Sequence, residues 1–301
     1  MKIIDAHTHF SNISAFHGAA LYSGVDFSYD GLIREQENCE IVASVCMGLI
    51  ESKPGAFPDK AAPSFMCAHS PQSVNIGGCL TDLHGDCPSN MYVCLGVNPN
   101  TLTDEAVKRL DESLESNRAN NRIVGFKIYA GYYHFNINDP VYTPVYKLAA
   151  KYGLTVAIHT GDTYAEEALL EYSHPLAADR LAVNFRDVNF MLCHMGDPWI
   201  MDACEVAYKN RNIFLDISGL QAGDSAHIAA TESRAVVMHH YTQGLSYLNQ
   251  YDKVLFGTDW PLVPLGPYIE FCKKLVPMEA YEDVFFNNAI KLFGLDKGLM
   301  V

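Results

Sequence analysis

Positive charge is scarce in this chain. Its 301 residues hold 21 Lys and Arg against 35 Asp and Glu, a formal net charge of −14, with a pI near 5.2. So acidic a chain is poorly suited to nucleic acid or an anionic membrane through general electrostatics, so neither is expected as a partner. Long apolar runs are also missing. The longest, "IVASVCMGLI" (41–50), is far too short to span a bilayer. The start, Met1 to Asp5, has neither the apolar core nor the small-residue cleavage site of a signal peptide. No glycine-rich dinucleotide fingerprint follows the first strand-like run. No internal repeat is visible. The nine cysteines form no Cys-x2-Cys or Cys-x4-Cys pair, so no compact zinc knuckle is expected. Three of them, Cys46, Cys94 and Cys193, sit in apolar runs and read as buried small hydrophobes. A reducing, cytoplasmic setting is the expectation.

What is present is ordinary globular composition, 49% hydrophobic and 19% charged, enough for a sizeable core. Eight short apolar runs recur: 2–7, 40–48, 91–97, 122–129, 154–159, 187–194, 212–218 and 253–259. They are nearly continuous rather than alternating, as expected of strands covered on both faces. Helical segments lie between them. Residues 103–116 place Ala106, Val107, Leu110 and Leu114 on one face behind a Thr-Asp-Glu start. Residues 139–153 and 197–210 each open on Asp-Pro, which suits an N-cap followed by proline. Eight such units predict one α/β domain over 1–301, a (β/α)8 TIM barrel. A doubly wound open sheet is the second choice. Residues 51–90, rich in Pro, Gly, Ser, Asn and Cys, read as a long insertion after strand 2. They carry Cys67, His69, Cys79, His84 and Cys87, and a lid or oligomer-contact loop is expected there rather than a structural zinc site.

The polar residues fall where such a barrel builds its chemistry. His7 and His9 close the first run, two apart and therefore on one side of a strand. His159, His194 and Asp259 close the fifth, sixth and eighth runs, and Lys127 lies late in the fourth. A rim of four imidazoles and a carboxylate points to a divalent metal, zinc first among N/O-ligated ions. Tyr129, Tyr132, Tyr133 and His134 are candidates for a pocket wall, as is Trp260, whereas Trp199 falls on a core stripe. Asp216 and Ser218 are candidates to orient the ligands, and so is Asp5. His227 and Arg234 are candidates for a substrate anion.

These elements, "IIDAHTHF", "GFKIY", "VAIHTGD", "FMLCHMGDPW", "NIFLDISG" and "VLFGTDWP" in that order, resemble the amidohydrolase superfamily. Within it they resemble the amidohydrolase-related group called amidohydrolase 2. A tail, "NNAIKLFGL" (287–295), also looks familial. The resemblance implies a distorted barrel holding one or two divalent ions. His7, His9, His159 and Asp259 would be ligands. His194 would be either a ligand of a second ion or a catalytic histidine. Lys127 would be either a carboxylated bridge between two ions or a contact for a substrate anion. Zn2+ lowers the pKa of its water toward about 7, and Asp259 would take and return the proton. The implied reaction is metal-dependent hydrolysis of an amide, lactone or ester in a small molecule. Some relatives instead decarboxylate aromatic or unsaturated acids, and the same residues serve both. A homodimer is compatible with an exposed insertion on an acidic barrel.

Overall fold

The computed structural model describes residues 1–10, 14–49, 88–118, 122–295 and 299. Eight parallel strands follow one another in chain order around a single sheet. They are β1 Ile3–Thr8, β2 Ile41–Met47, β3 Met91–Val97, β4 Ile123–Ile128, β5 Thr155–Ile158, β6 Phe190–Leu192, β7 Ile213–Asp216 and β8 Val254–Leu255. Each coincides with one of the apolar runs, and their order excludes the doubly wound alternative. The architecture is a (β/α)8 TIM barrel.

Helices α1 Ser14–Ser23 and α2 Tyr29–Asn38 precede β2. Helix α3 Asp104–Asn117 precedes β4, and α4 Thr143–Tyr152 precedes β5. Helices α5 Leu170–Ser173 and α6 Ala177–Asn184 lead to β6, and α7 Ile200–Lys209 leads to β7. Helices α8 Ser225–Glu232 and α9 Ala235–Leu248 precede β8, with α10 Leu265–Lys273 and α11 Asn288–Phe293 after it. Among the described residues no helix is long and apolar enough to cross a membrane. The expected lid or contact loop, with Cys67, His69, Cys79, His84 and Cys87, lies outside the described residues.

The Thr103 start is as the sequence suggests. Its hydroxyl accepts from the Ala106 amide at 3.2 Å, and Asp104 and Glu105 occupy the first turn of α3, where negative charge is favoured. Gly153 ends α4 in the left-handed region. The two Asp-Pro starts are corrected. Asp139 precedes only a 3-10 turn, Pro140–Tyr142, and makes no side-chain cap. Asp197 lies three residues before α7, which begins at Ile200. The Asp197 carboxylate turns instead toward His240 Nε2, at 3.1 Å.

Two apolar layers hold the barrel. In one, Leu95, Phe126, Ile158 and Leu192 of the strands meet Leu32, Val145, Leu181 and Ala203 of the helices. In the other, Ile4, Ala43, Cys94, Ala157 and Met191 pack with one another and with the C-terminal Phe286, Ile290 and Phe293. Alternation along β4 follows from the two-residue period: Phe126 and Ile128 join the helix-facing layer, and Lys127 between them does not.

The seam decides where the site forms. β8 keeps only two ladder residues. Beyond it Ala6 N donates to Phe256 O at 2.9 Å, and the amides of Thr258 and Asp259 donate to His7 O at 3.2 and 2.8 Å. His9 N donates to Trp260 O at 2.7 Å. The ends of β1 and β8 are thus bound together residue by residue. Asn288 braces the same edge from α11, its Nδ2 donating to Tyr251 O and Val254 O, both at 2.8 Å. Replacing it takes a donor from the buried Val254 carbonyl and from Tyr251 O, which keeps the Val254 amide. Asn288→Ala is expected to lower unfolding stability by about 1–3 kcal/mol in urea titration. A loss below about 0.5 kcal/mol contradicts this bracing.

Candidate metal centre

Three side-chain atoms converge at the seam. His7 Nε2 lies 3.2 Å from Asp259 Oδ1, and His9 Nε2 lies 2.9 Å from the same oxygen. Neither His7 Nε2 nor Asp259 Oδ1 has a hydrogen-bond partner, although both are buried. Two ligands at tetrahedral angles about one zinc, with bonds near 2.0–2.1 Å, stand about 3.3 Å apart. The observed separations fit that spacing, so these residues suit a divalent cation on the shared point.

The far side of each ring fixes its tautomer. His7 Nδ1 meets Asp216 Oδ2 at 2.8 Å, and His9 Nδ1 meets Met47 O at 3.2 Å. Both acceptors lack a proton to give, so Nδ1 carries a hydrogen in each ring; His9, which burial holds neutral, turns an Nε2 lone pair inward, and His7 Nε2 does so once its proton is displaced. Phe16 of α1 stacks on the His9 ring, centroids 4.5 Å apart.

His194 and Asp259 share a backbone peculiarity. Both have left-handed φ, 62° and 63°, which costs a non-glycine residue about 1–3 kcal/mol. His194 lies two residues past β6 and Asp259 four past β8, and both side chains line the cleft. The His194 amide donates to Asp216 Oδ1 at 2.9 Å. The His194 Nδ1 faces Ser218 O at 3.1 Å, so its Nε2 is also the unprotonated nitrogen. Burial pushes the His194 imidazole down to about 4, which keeps it neutral near pH 7. His7, His194 and Asp216 form a second close cluster, but Asp216 is occupied as an acceptor. It takes His7 Nδ1, the amides of His194 and Ser218, and the Ser218 hydroxyl. Asp216 and Ser218, the candidates to orient the ligands, thus both contact His7 and His194.

Asp5 works on the other side. Its Oδ1 accepts from the amides of His7 and Thr258 at 3.1 and 3.0 Å, and its Oδ2 accepts from the Thr258 hydroxyl at 2.6 Å. Burial lifts its carboxyl to about 7 against those bonds. It binds strand to strand beneath the ligands and does not reach the convergence point.

The remaining candidates divide. His159 lines the cleft with its ring 4.9 Å from that of His194, but its Nε2 meets Asp162 O at 2.8 Å. It is outside both close clusters. Lys127 also lines the cleft, buried, with Nζ donating to Cys193 Sγ at 3.0 Å. Tyr129 and Tyr132 form wall; Tyr133 does not. Trp260 is corrected: it is fully buried between Phe10 and Phe27 and is no part of the wall. Trp199 packs against the His174 ring. His134 is exposed with Nε2 on Glu167 O. His227 bonds Asp224 and stacks with Tyr22 outside the cleft, and Arg234 is exposed at the start of α9.

Gly219 is a functional position that sequence reasoning missed. With φ at +61°, a Cβ there would stand 2.5 Å from His194 Nδ1 and 2.8 Å from Asp259 Oδ2. Its sequence signal is its place at the end of "NIFLDISG", just past the seventh run. Phe16 had no signal, because α1 shows no clear amphipathic pattern.

A family model described as amidohydrolase matches residues 96–295, two-thirds of the chain. A search of the curated proteins finds no match. Solved structures resemble the whole fold. A TIM-barrel protein from Bordetella bronchiseptica is 19% identical, covering 98% of this chain and 99% of its own, with a TM-score of 0.66. A protein from Acinetobacter baumannii, described as a probable 2-pyrone-4,6-dicarboxylic acid hydrolase, is 15% identical over 98% and 100%, with a TM-score of 0.60. The 2,6-dihydroxybenzoate decarboxylase from Rhizobium is 13% identical over 98% and 99%, with a TM-score of 0.63. At these identities the likeness speaks for the fold.

Two outcomes are expected. Burial and the Lys127 cation push the His7 imidazole down, but Asp216, Cys193 and Asp259 outweigh them and hold it well above the ordinary value. Loading a cation onto Nε2 therefore expels a proton, and affinity weakens as pH falls. Calorimetric titration of Zn2+ into metal-free protein near pH 7, in two buffers of different ionisation heat, should show release of about one proton per ion. Absence of release contradicts the assignment. Gly219→Ala should weaken metal affinity about 10–100-fold with the fold kept by circular dichroism. Unchanged affinity contradicts the close-approach argument.

Proposed function

The chain belongs to the amidohydrolase family, and on that premise we propose that it is a metal-dependent hydrolase. It cleaves an amide, lactone or ester bond of a small molecule. One observation carries the proposal: two histidine Nε2 atoms and one carboxylate oxygen, all buried, converge on one point, where neither His7 Nε2 nor Asp259 Oδ1 has a hydrogen-bond partner. His7, His9 and Asp259 would hold the ion, most readily Zn2+, while His159 lies outside that cluster on the cleft wall. A bound divalent ion supplies a Lewis acid and a water of lowered pKa.

The chain's own groups then have distinct tasks. Asp259 has one oxygen at the convergence point. Its Oδ2 remains to take a proton from the attacking water and return it to the leaving group. Protonated His194 would polarise a substrate carbonyl, but burial opposes that form and Ser218 O holds its one proton on Nδ1. His194 therefore acts as an acceptor or further ligand. Lys127 Nζ lies against Cys193 Sγ at 3.0 Å, and among the described residues it belongs to neither ligand cluster, which supports a reading with one ion. Asp216, Ser218 and Asp5 hold the rings and strand ends in register.

A decarboxylase of a small aromatic or unsaturated acid is the second reading. Lys127 favours it, as a buried cation in the cleft able to face an acid. The fold neighbours include both reaction types. Substrate panels run in 18O-labelled water and in deuterium oxide separate them. Hydrolysis places one solvent oxygen in the product acid. Decarboxylation places solvent deuterium on the carbon that loses CO2. We expect the former, with Asp259→Asn lowering kcat by about 10²–10⁴-fold. Release of CO2 without solvent oxygen in the product contradicts the hydrolase reading.

A further inference from the structure

We propose that Lys127 and Cys193 form a reversible covalent bridge under peroxide, a bond between Nζ and Sγ that removes the amine from the cleft. The inference does not depend on which bond of a substrate the protein cleaves. The barrel brings the pair together. Lys127 on β4 pairs with Ala157 on β5, and Ala157 with Met191 on β6. Cys193 lies two residues past Met191 and packs in the same interior layer. The long lysine side chain spans the intervening strand, and Nζ reaches Sγ at 3.0 Å. Both residues are buried. A purely structural role explains the contact poorly, because a thiol is a weak acceptor and a lysine has several donors to place. Among the described residues Cys193 Sγ is the one hydrogen-bond acceptor of Nζ; the Tyr129 ring, with its centroid 5.3 Å away, adds only a ring face. Redox-active thiols, by contrast, sit beside basic side chains.

The metal centre leaves this pair free. Cys193 belongs to neither ligand cluster, so an ion on His7, His9 and Asp259 does not cover the sulphur. Zn2+ is itself redox-inert, and the oxidant comes from solution. Lys127 and His194 line a cleft with about 550 Å³ of empty space, part of it open to solvent. Cys193 bonds the one and precedes the other, and hydrogen peroxide is little larger than water. Peroxide first takes two electrons from sulphur: its O–O bond breaks, Sγ–H becomes Sγ–OH, and one water leaves. The Nζ amine then attacks Sγ, the S–O bond breaks, and the hydroxide departs with one N–H proton as a second water. The product is a sulfenamide, the condensation known for sulfenic acids and nitrogen. Two thiols of a reductant reverse it, restoring Sγ–H and the amine and forming one disulfide. With the amine already against the sulphur, condensation precedes a second oxidation to sulfinic acid.

Peptide mapping of the full-length protein, incubated with Zn2+ and titrated with hydrogen peroxide, tests the inference after thiol blocking and non-reducing digestion. Sulfoxide at Met278, 77% exposed, reports the dose. The Lys127 and Cys193 peptides are expected to appear joined, at their summed mass less two hydrogens, and dithiothreitol should separate them. In Lys127→Gln the joined pair should be lost and Cys193 should proceed to sulfinic acid. Sulfinic acid at Cys193 of the wild-type protein without a joined pair overturns the inference. So does a Cys193 that stays a free thiol once Met278 is oxidised, or one that forms a disulfide with another cysteine. A joined pair heavier by one oxygen overturns the direct bond. Should the variant fail to fold, the wild-type map alone decides.

Discussion

The arrangement at the mouth of the barrel depends on one buried carboxylate, that of Asp216. Burial alone would raise its pKa, but His7 above all holds it well below the ordinary value, so it stays ionised. One oxygen takes the Nδ1 proton of His7, and the other takes the amides of His194 and Ser218. A single group on β7 thereby sets the His7 tautomer and pins the left-handed turn that carries His194. Without it, His7 would be free to present a proton, rather than a lone pair, to the cation. An anion holding the ligand from behind is how second-layer residues orient metal ligands in general.

The strain at the rim is consistent with that dependence. His194 and Asp259 both occupy the left-handed region, and neither would do so in a free peptide. What holds them is backbone bonding across strands: Asp259 N on His7 O, and His194 N on Asp216. β6 and β8 are short, three and two residues long, and His194 and Asp259 lie two and four residues beyond their ends, held by these cross-strand bonds. The seam between β1 and β8 concentrates this, since His7, His9 and Asp259 all lie on it.

Much of this was legible in the chain itself. The eight strands stand out because both of their faces are covered, so they read as unbroken apolar runs. His7 and His9 could be paired from spacing, and Asp259, His159 and His194 from strand ends. The failures have physical causes too. Asp197 looks like a helix cap, but the cap rule sees only local sequence, and His240 forty-three residues away competes for its carboxylate. Trp260 follows a candidate ligand, yet its ring is drawn between Phe10 and Phe27, contacts with no local signature. Gly219 matters through an approach to two side chains from other strands. Phe16 reaches His9 from a helix without an amphipathic pattern.

Metal content tests the central claim most directly. Elemental analysis of the purified protein should find about one divalent transition ion per chain, the number one such ligand set holds. The His7→Ala/His9→Ala double variant should lose it while keeping the circular dichroism of a folded barrel. Occupancy unchanged in that variant, or no ion bound by the wild-type protein after incubation with Zn2+, would contradict the account.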